Sequence, residues 1–136
     1  MHKGSCLCGA VRFEVDGALH GPDACHCRNC RKSSGHFFAS TDVPRASVRV
    51  HGAEKVTWYK SSDKARRGFC SVCGSQLFWD PFERDWTGIA MGAFDTPTDT
   101  RLRIHIFVAD KGAYYDIEPG VPQSRDGTFA VAIPES

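Results

Sequence analysis

Seven of the 136 residues are cysteine, and they fall into three short packets: Cys6-Leu7-Cys8, Cys25-His26-Cys27-Arg28-Asn29-Cys30 and Cys70-Ser71-Val72-Cys73. No other feature constrains the fold as tightly. An odd number leaves one cysteine over in any complete disulfide scheme, and partners two or three residues apart are spaced as chelating pairs. The packets point to bound metal in a reducing compartment. In a tetrahedral zinc–thiolate site, Zn–S bonds of about 2.3 Å set neighbouring sulfurs roughly 3.8 Å apart, whereas alternate residues of a strand lie about 6.6 Å apart. The first packet must therefore bend, and Gly4 and Gly9 bracket it with permissive backbone. The segment Cys70-Ser71-Val72-Cys73-Gly74 has the form of a metal knuckle, whose turn aims backbone N–H groups at sulfur and whose glycine tolerates positive φ.

Two four-cysteine sets are compatible with the spacing: Cys6 and Cys8 with Cys70 and Cys73, or Cys27 and Cys30 with Cys70 and Cys73. Spacing alone does not choose. The first is preferred because it leaves Cys25, Cys27 and Cys30 as a compact trio able to wrap one ion, while the second scatters Cys6, Cys8 and Cys25. A closed four-thiolate site has no vacant position and serves folding. Structural zinc contributes about 10–16 kcal/mol of apparent binding free energy, against a typical net stability of about 5–15 kcal/mol. A three-thiolate site leaves one corner of the tetrahedron for water or a substrate, and a thiol held there loses its proton. Iron also suits a four-thiolate set.

The rest of the chain is ordinary material for one domain spanning residues 1–136, with 41% hydrophobic and 24% charged residues. A formal net charge of +1 gives no basic field for nucleic acid. The first residues carry no apolar leader, and no run of about 18 apolar residues could span a bilayer. The chain is accordingly expected to be cytoplasmic and complete, without membrane or nucleic-acid partners. Alternation marks strands over 11–15 and 102–108, with further β segments expected at 37–41, 47–50, 56–60, 66–69, 76–79, 87–93 and 113–117, and a last one at 129–133. The one short helical turn is expected at 29–34. The pattern predicts a mainly β fold of antiparallel sheets, stacked as a sandwich or open barrel, with metal on the loops.

Several stretches together resemble the glutathione-dependent formaldehyde-activating enzyme family, which also includes the centromere protein V domain. They are Gly4-Ser5-Cys6-Leu7-Cys8-Gly9-Ala10-Val11-Arg12-Phe13-Glu14-Val15, Cys25-His26-Cys27-Arg28-Asn29-Cys30-Arg31-Lys32-Ser33-Ser34-Gly35, Tyr59-Lys60-Ser61-Ser62, Arg67-Gly68-Phe69-Cys70-Ser71-Val72-Cys73-Gly74-Ser75-Gln76-Leu77 and the segment from His105 to Asp116. The resemblance covers about residues 4–124. It implies a tent-like stack of sheets and two zinc ions per chain, one structural on Cys6, Cys8, Cys70 and Cys73 and one catalytic on Cys25, Cys27 and Cys30. It also implies condensation of glutathione with formaldehyde to S-hydroxymethylglutathione, formally a carbon–sulfur lyase reaction in reverse. The alternative is a zinc-stabilised binding module without catalysis, as the centromere relative suggests.

Glutathione's carboxylates would need cations. Arg28, Arg31 and Lys32 lie nearest the trio in sequence but are expected to face solvent or balance thiolate charge, and Arg66 and Arg67 lie beside the other site. His26 is expected to point away from the metal, and His105 to be a satisfied structural histidine rather than a pocket acid–base group. Trp58, Tyr59, Phe69, Phe78 and Trp79 are expected in the core and sheet faces.

Overall fold

The computed structural model describes residues 1–127. In β2 (Arg12–Val15) Phe13 and Val15 are buried while Arg12 faces solvent, so the alternation seen in sequence fixes which way the smaller sheet looks. β2 lies between β1 (His2–Ser5) and β5 (Val48–His51), antiparallel to both. Phe13 stands opposite Gly4 and Val50. A Cβ on Gly4 would lie 2.2 Å from Cζ of Phe13, so this glycine supplies room for a ring and not the bend expected of it.

The larger sheet has seven strands in the order β10-β3-β4-β9-β8-β7-β6. These are β3 (Asp23–Cys25), β4 (Phe38–Pro44), β6 (Val56–Lys60), β7 (Ala65–Cys70), β8 (Gln76–Pro81), β9 (Trp86–Ala90) and β10 (Ile104–Ile106). Every pairing is antiparallel except β10 with β3, which is parallel. One face of this sheet turns Val43, Phe78 and Ile89 toward Phe13 and Val15 of the small sheet, and this layer is the main core. Phe13 meets Phe78 and Phe94 edge-on at 5.9 and 5.3 Å between ring centres. The fold is mainly β, in stacked sheets, as expected from sequence. Among the described residues no helix is long and apolar enough to cross a membrane.

The single α-helix among the described residues, α1 (Arg28–Ser34), is capped at both ends. Cys27 Sγ accepts from the Cys30 N–H, and Gly35, at φ 86°, donates its N–H to the Arg31 carbonyl. Arg31 and Lys32 in its last turn complement the dipole.

Several expected elements differ. The strand expected over 102–108 shrinks to Ile104–Ile106, because Phe107 enters the left-handed region at φ 55°. Both Ile104 and His105 are buried, so the half-buried alternation expected there fails where neighbouring segments cover both sides. The strand expected at 87–93 ends at Ala90 and continues as a 3-10 turn, Met91–Ala93. Residues 113–117 form turn and irregular backbone, not a strand. Tyr114 and Tyr115 there pack their rings on His36, which accounts for an aromatic composition that imitates a strand. β1 and β3, four and three residues long, are too short to show an alternation in sequence and are additional to the expected strands. The strand expected at 129–133 lies outside the described residues.

Candidate active site

The three packets converge into two groups. Cys6, Cys8, Cys70 and Cys73 bring their four sulfurs within 4.8 Å of one another, and Cys25, Cys27 and Cys30 do the same. The structure thus selects the first of the two pairings the spacing allows, and all seven cysteines are free of disulfides.

The four-cysteine group is built from two facing turns. The first runs from β1 to β2, where the Gly9 N–H returns to the Cys6 carbonyl at 3.2 Å and Leu7 is thrown into solvent at 90% exposure. The second follows β7, where Gly74, at φ 78°, returns its N–H to the Cys70 carbonyl at 2.8 Å. The sulfurs of Cys6 and Cys8 lie 3.6 Å apart and those of Cys8 and Cys70 3.8 Å, near the roughly 3.8 Å edge of a zinc–thiolate tetrahedron. Backbone N–H groups point at sulfur: Val11 at Cys6 (3.3 Å), and Val72 and Cys73 at Cys70 (3.4 and 3.5 Å). Ser75 ties the turns together, accepting from the Leu7 N–H at 3.0 Å while its hydroxyl lies 3.1 Å from Cys73 Sγ. That hydroxyl contact, with the Ser75 backbone, holds the Cys73 thiol down to about 5.

The trio sits elsewhere, at the edge of the large sheet and the start of α1. Cys25 ends β3, Cys27 caps the helix and the buried Cys30 lies in its first turn. The neighbouring Cys25 and Cys30 thiols hold Cys27 below the ordinary thiol range, with help from the Cys30 and Asn29 N–H groups. Sharing protons with that pair, and burial, push Cys25 up.

One cation serves the trio. Arg67, on β7, is 4% exposed and directs Nη2 to Cys30 Sγ at 3.4 Å, with its guanidinium 5.8 Å from the centre of the Phe38 ring. Its Nε and Nη1 are buried without a hydrogen-bond partner among the described residues. Adjacent Arg66 points to the other face, donating to Asp80 at 2.8 Å and lying 3.8 Å over Trp58. Position beside Cys70 in the sequence therefore misassigns Arg67: strand alternation carries it to the other cysteine site. Arg28, Arg31 and Lys32 are exposed, as expected.

The trio opens into a cavity of about 430 Å³ on the face of the large sheet away from the core, within the roughly 300–1,000 Å³ usual for ligand sites. Register explains its lining. Cys25 is paired with Phe38, Asp23 with Ser40 and Asp42 with Gly88, then Gly88 with Trp79 and Trp79 with Arg67, so these side chains share one face. Trp79, assigned from sequence to the core or a sheet face, stacks at 5.7 Å on Trp86 and walls this cavity. Burial, reinforced by Asp23, raises Asp42 to about 6.

His26 lies between two cysteines of the trio and turns away from them. Its Nδ1 meets the Tyr115 hydroxyl and its Nε2 lies 2.8 Å from His105 Nδ1, while His105 Nε2 lies 3.1 Å from Glu118. Both ring nitrogens are committed, and burial with the neighbouring His105 lowers its pKa to about 4. His105, on the opposite face of β10 from Ile106, braces this chain, as expected of a structural histidine.

Residues 1–110 match the family described as glutathione-dependent formaldehyde-activating enzyme. The chain belongs to that family. A Halomonas elongata protein named for the same glutathione-dependent activity is 31% identical over 141 residues, covering 94% of this chain and 86% of the relative. An uncharacterized lyase of Schizosaccharomyces pombe is 34% identical over 79 residues, 57% of this chain and 56% of that one. A crystal structure of a Rhodobacter sphaeroides protein superimposes with a TM-score of 0.60 at 26% identity, covering 71% of this chain and 91% of the other. Within the family this chain is an enzyme of lyase type, and its two cysteine groups could hold metal ions.

Proposed function

We propose that the protein binds two zinc ions, one closed and structural on Cys6, Cys8, Cys70 and Cys73, one open and catalytic on Cys25, Cys27 and Cys30, and that it condenses glutathione with formaldehyde or runs the reverse lysis. The observation that carries this reading is the unequal make-up and setting of two similar sulfur groups: four sulfurs converge between two surface turns, whereas the trio has three and faces a cavity. Four sulfurs fill a tetrahedron; three leave a place for a ligand. The metal would supply a Lewis acid that keeps an incoming thiol deprotonated at neutral pH.

The chain's own residues do the rest. Arg67 places one positive charge against Cys30 and offsets part of the trio's negative charge. The aromatic walls, Phe38 below the trio and the Trp79–Trp86 stack, exclude water from the reacting sulfur. In the condensation a sulfur–carbon bond forms, the carbonyl π bond breaks, and the proton lost by the thiol is returned to the new hydroxyl oxygen. Seven free thiols suit a reducing compartment, and the cytoplasm is the proposed location.

The test is direct. Metal analysis of fresh protein should give two zinc ions per chain, and carbon-13 formaldehyde with glutathione should yield the hydroxymethyl thioether resonance faster than without protein. Cobalt in the trio should change its visible spectrum when glutathione is added. A condensation rate equal to the spontaneous one, with a silent cobalt spectrum, would favour the non-catalytic binding module.

A further inference from the structure

The cavity is polar at its far end as well as at the trio. Ser40 and Asp42 follow Phe38 at two-residue steps along β4, on the cavity face. Both lean over Gly88, where a Cβ would lie 3.4 Å from Asp42 Oδ1 and 3.5 Å from Ser40 Oγ. Among the described residues neither side chain has a hydrogen-bond partner. The cations that could serve them are engaged: Arg103 donates to Asp23 at 2.8 Å, and Arg67 is committed to Cys30. At the trio end, the buried Nε and Nη1 of Arg67 lack a partner too, so the wall leaves hydrogen bonds unmade at both ends.

Resting on the proposed function, we infer that Asp42, with Ser40, is the specificity-determining seat for a protonated amine of the thiol substrate, which for glutathione is the γ-glutamyl ammonium. Length supports the assignment. Four residues of strand from Phe38, beside the trio, to Asp42 span about 13 Å. In glutathione eight bonds separate sulfur from that nitrogen, about 9 Å when extended, and a sulfur in contact with the trio stands about 4 Å from it. Burial disfavours this carboxylate, and the one cation that acts on it, Arg103, is paired with Asp23, whose own charge works against Asp42, so the site is suited to a ligand that brings a positive charge. The exposed Arg28, Arg31 and Lys32 leave the cavity without a free cation of its own for a buried carboxylate.

The experiment compares glutathione with N-acetylglutathione, which lacks the ammonium, by titration calorimetry and by KM for condensation, in the zinc-loaded wild type and in Asp42→Asn. The wild type should bind glutathione about tenfold more tightly than the capped analogue, and Asp42→Asn should treat the two alike with kcat largely kept. Gly88→Ala provides a second route, since its methyl would stand in contact with both oxygens and occupy space beside them without changing the charge; it should weaken glutathione more than the analogue. Equal wild-type affinity for both thiols, or discrimination that survives in Asp42→Asn, overturns the inference. Condensation of both thiols with equal KM removes this assignment alone, whereas failure of the wild type to bind or turn over either thiol removes the proposed function with it.

Discussion

The two cysteine groups use the same ligand atom and differ in what surrounds it. In the four-cysteine group the backbone N–H groups of Val11, Val72 and Cys73 point at sulfur, and Ser75 bridges the two turns. Cys6 and Cys70 reach into the main core, while the two turns end in the exposed tips Leu7 and Val72. The trio is carried on regular elements with their own backbone pairing: Cys25 on a strand paired on both sides, and Cys27 and Cys30 at the N-cap and in the first turn of the helix. A metal at the first group would fasten β1–β2 to β7–β8, whereas at the second it would be held by an already formed scaffold. Fold stability and chemistry are thereby separable.

The most severe way to break that contrast is to remove one ligand from each group. Cys73→Ala should leave the protein unfolded by circular dichroism, because loss of a structural zinc removes about 10–16 kcal/mol from a net stability of about 5–15 kcal/mol. Cys27→Ala should keep the spectrum and a cooperative melt, bind one zinc per chain and lose condensation down to the spontaneous rate. If both variants melt like the wild type, the division of roles is wrong.

A smaller effect is expected at Arg67. Arg67→Met fills similar space but leaves the trio without its one cation, so zinc at that group should be released to a chelator at roughly 10–100-fold lower concentration. Zinc at the four-cysteine group should be retained. Equal sensitivity of both ions would mean that Arg67 acts on the fold as a whole.

That residue also shows what the sequence conceals. The three cysteine packets and the strand through Phe13 and Val15 are legible because both are local patterns, whereas the choice between the two four-cysteine pairings rests on a contact across the chain that spacing leaves open. Arg67 is not legible, since its neighbour in sequence is Cys70 while its neighbour in space is Cys30, brought there by the order of β7, β8, β9 and β4. Asp42 and Ser40 carry no motif and acquire meaning only from a shared face with Cys25 and Phe38. The aromatic pair Tyr114 and Tyr115 misled in the other direction: their β propensity is spent on ring contacts with His36. The parallel pairing of β10 with β3 depends on a long return of the chain that no short window reveals.

The smallest expected effect separates a residue kept for the fold from one kept for the cavity. Burial, with Asp23 nearby, raises Asp42 from an ordinary value near 3.8 to about 6. Between those values the native state binds more protons than the unfolded chain, so stability from this group falls as pH rises through about 4 to 6 and is absent above. Asparagine has the same shape and no charge to bury. Asp42→Asn should therefore melt higher than the wild type at pH 7, by about 1 kcal/mol after allowing for solvent near the carboxyl, and by nothing at pH 4. A gain in stability from removing a side chain that faces a cavity marks a position held for function, as Cys73 marks one held for the fold. A variant less stable than the wild type at pH 7 would show instead that the carboxylate supports the sheet, and the contrast between the two ends of the molecule would have to be redrawn around the trio alone.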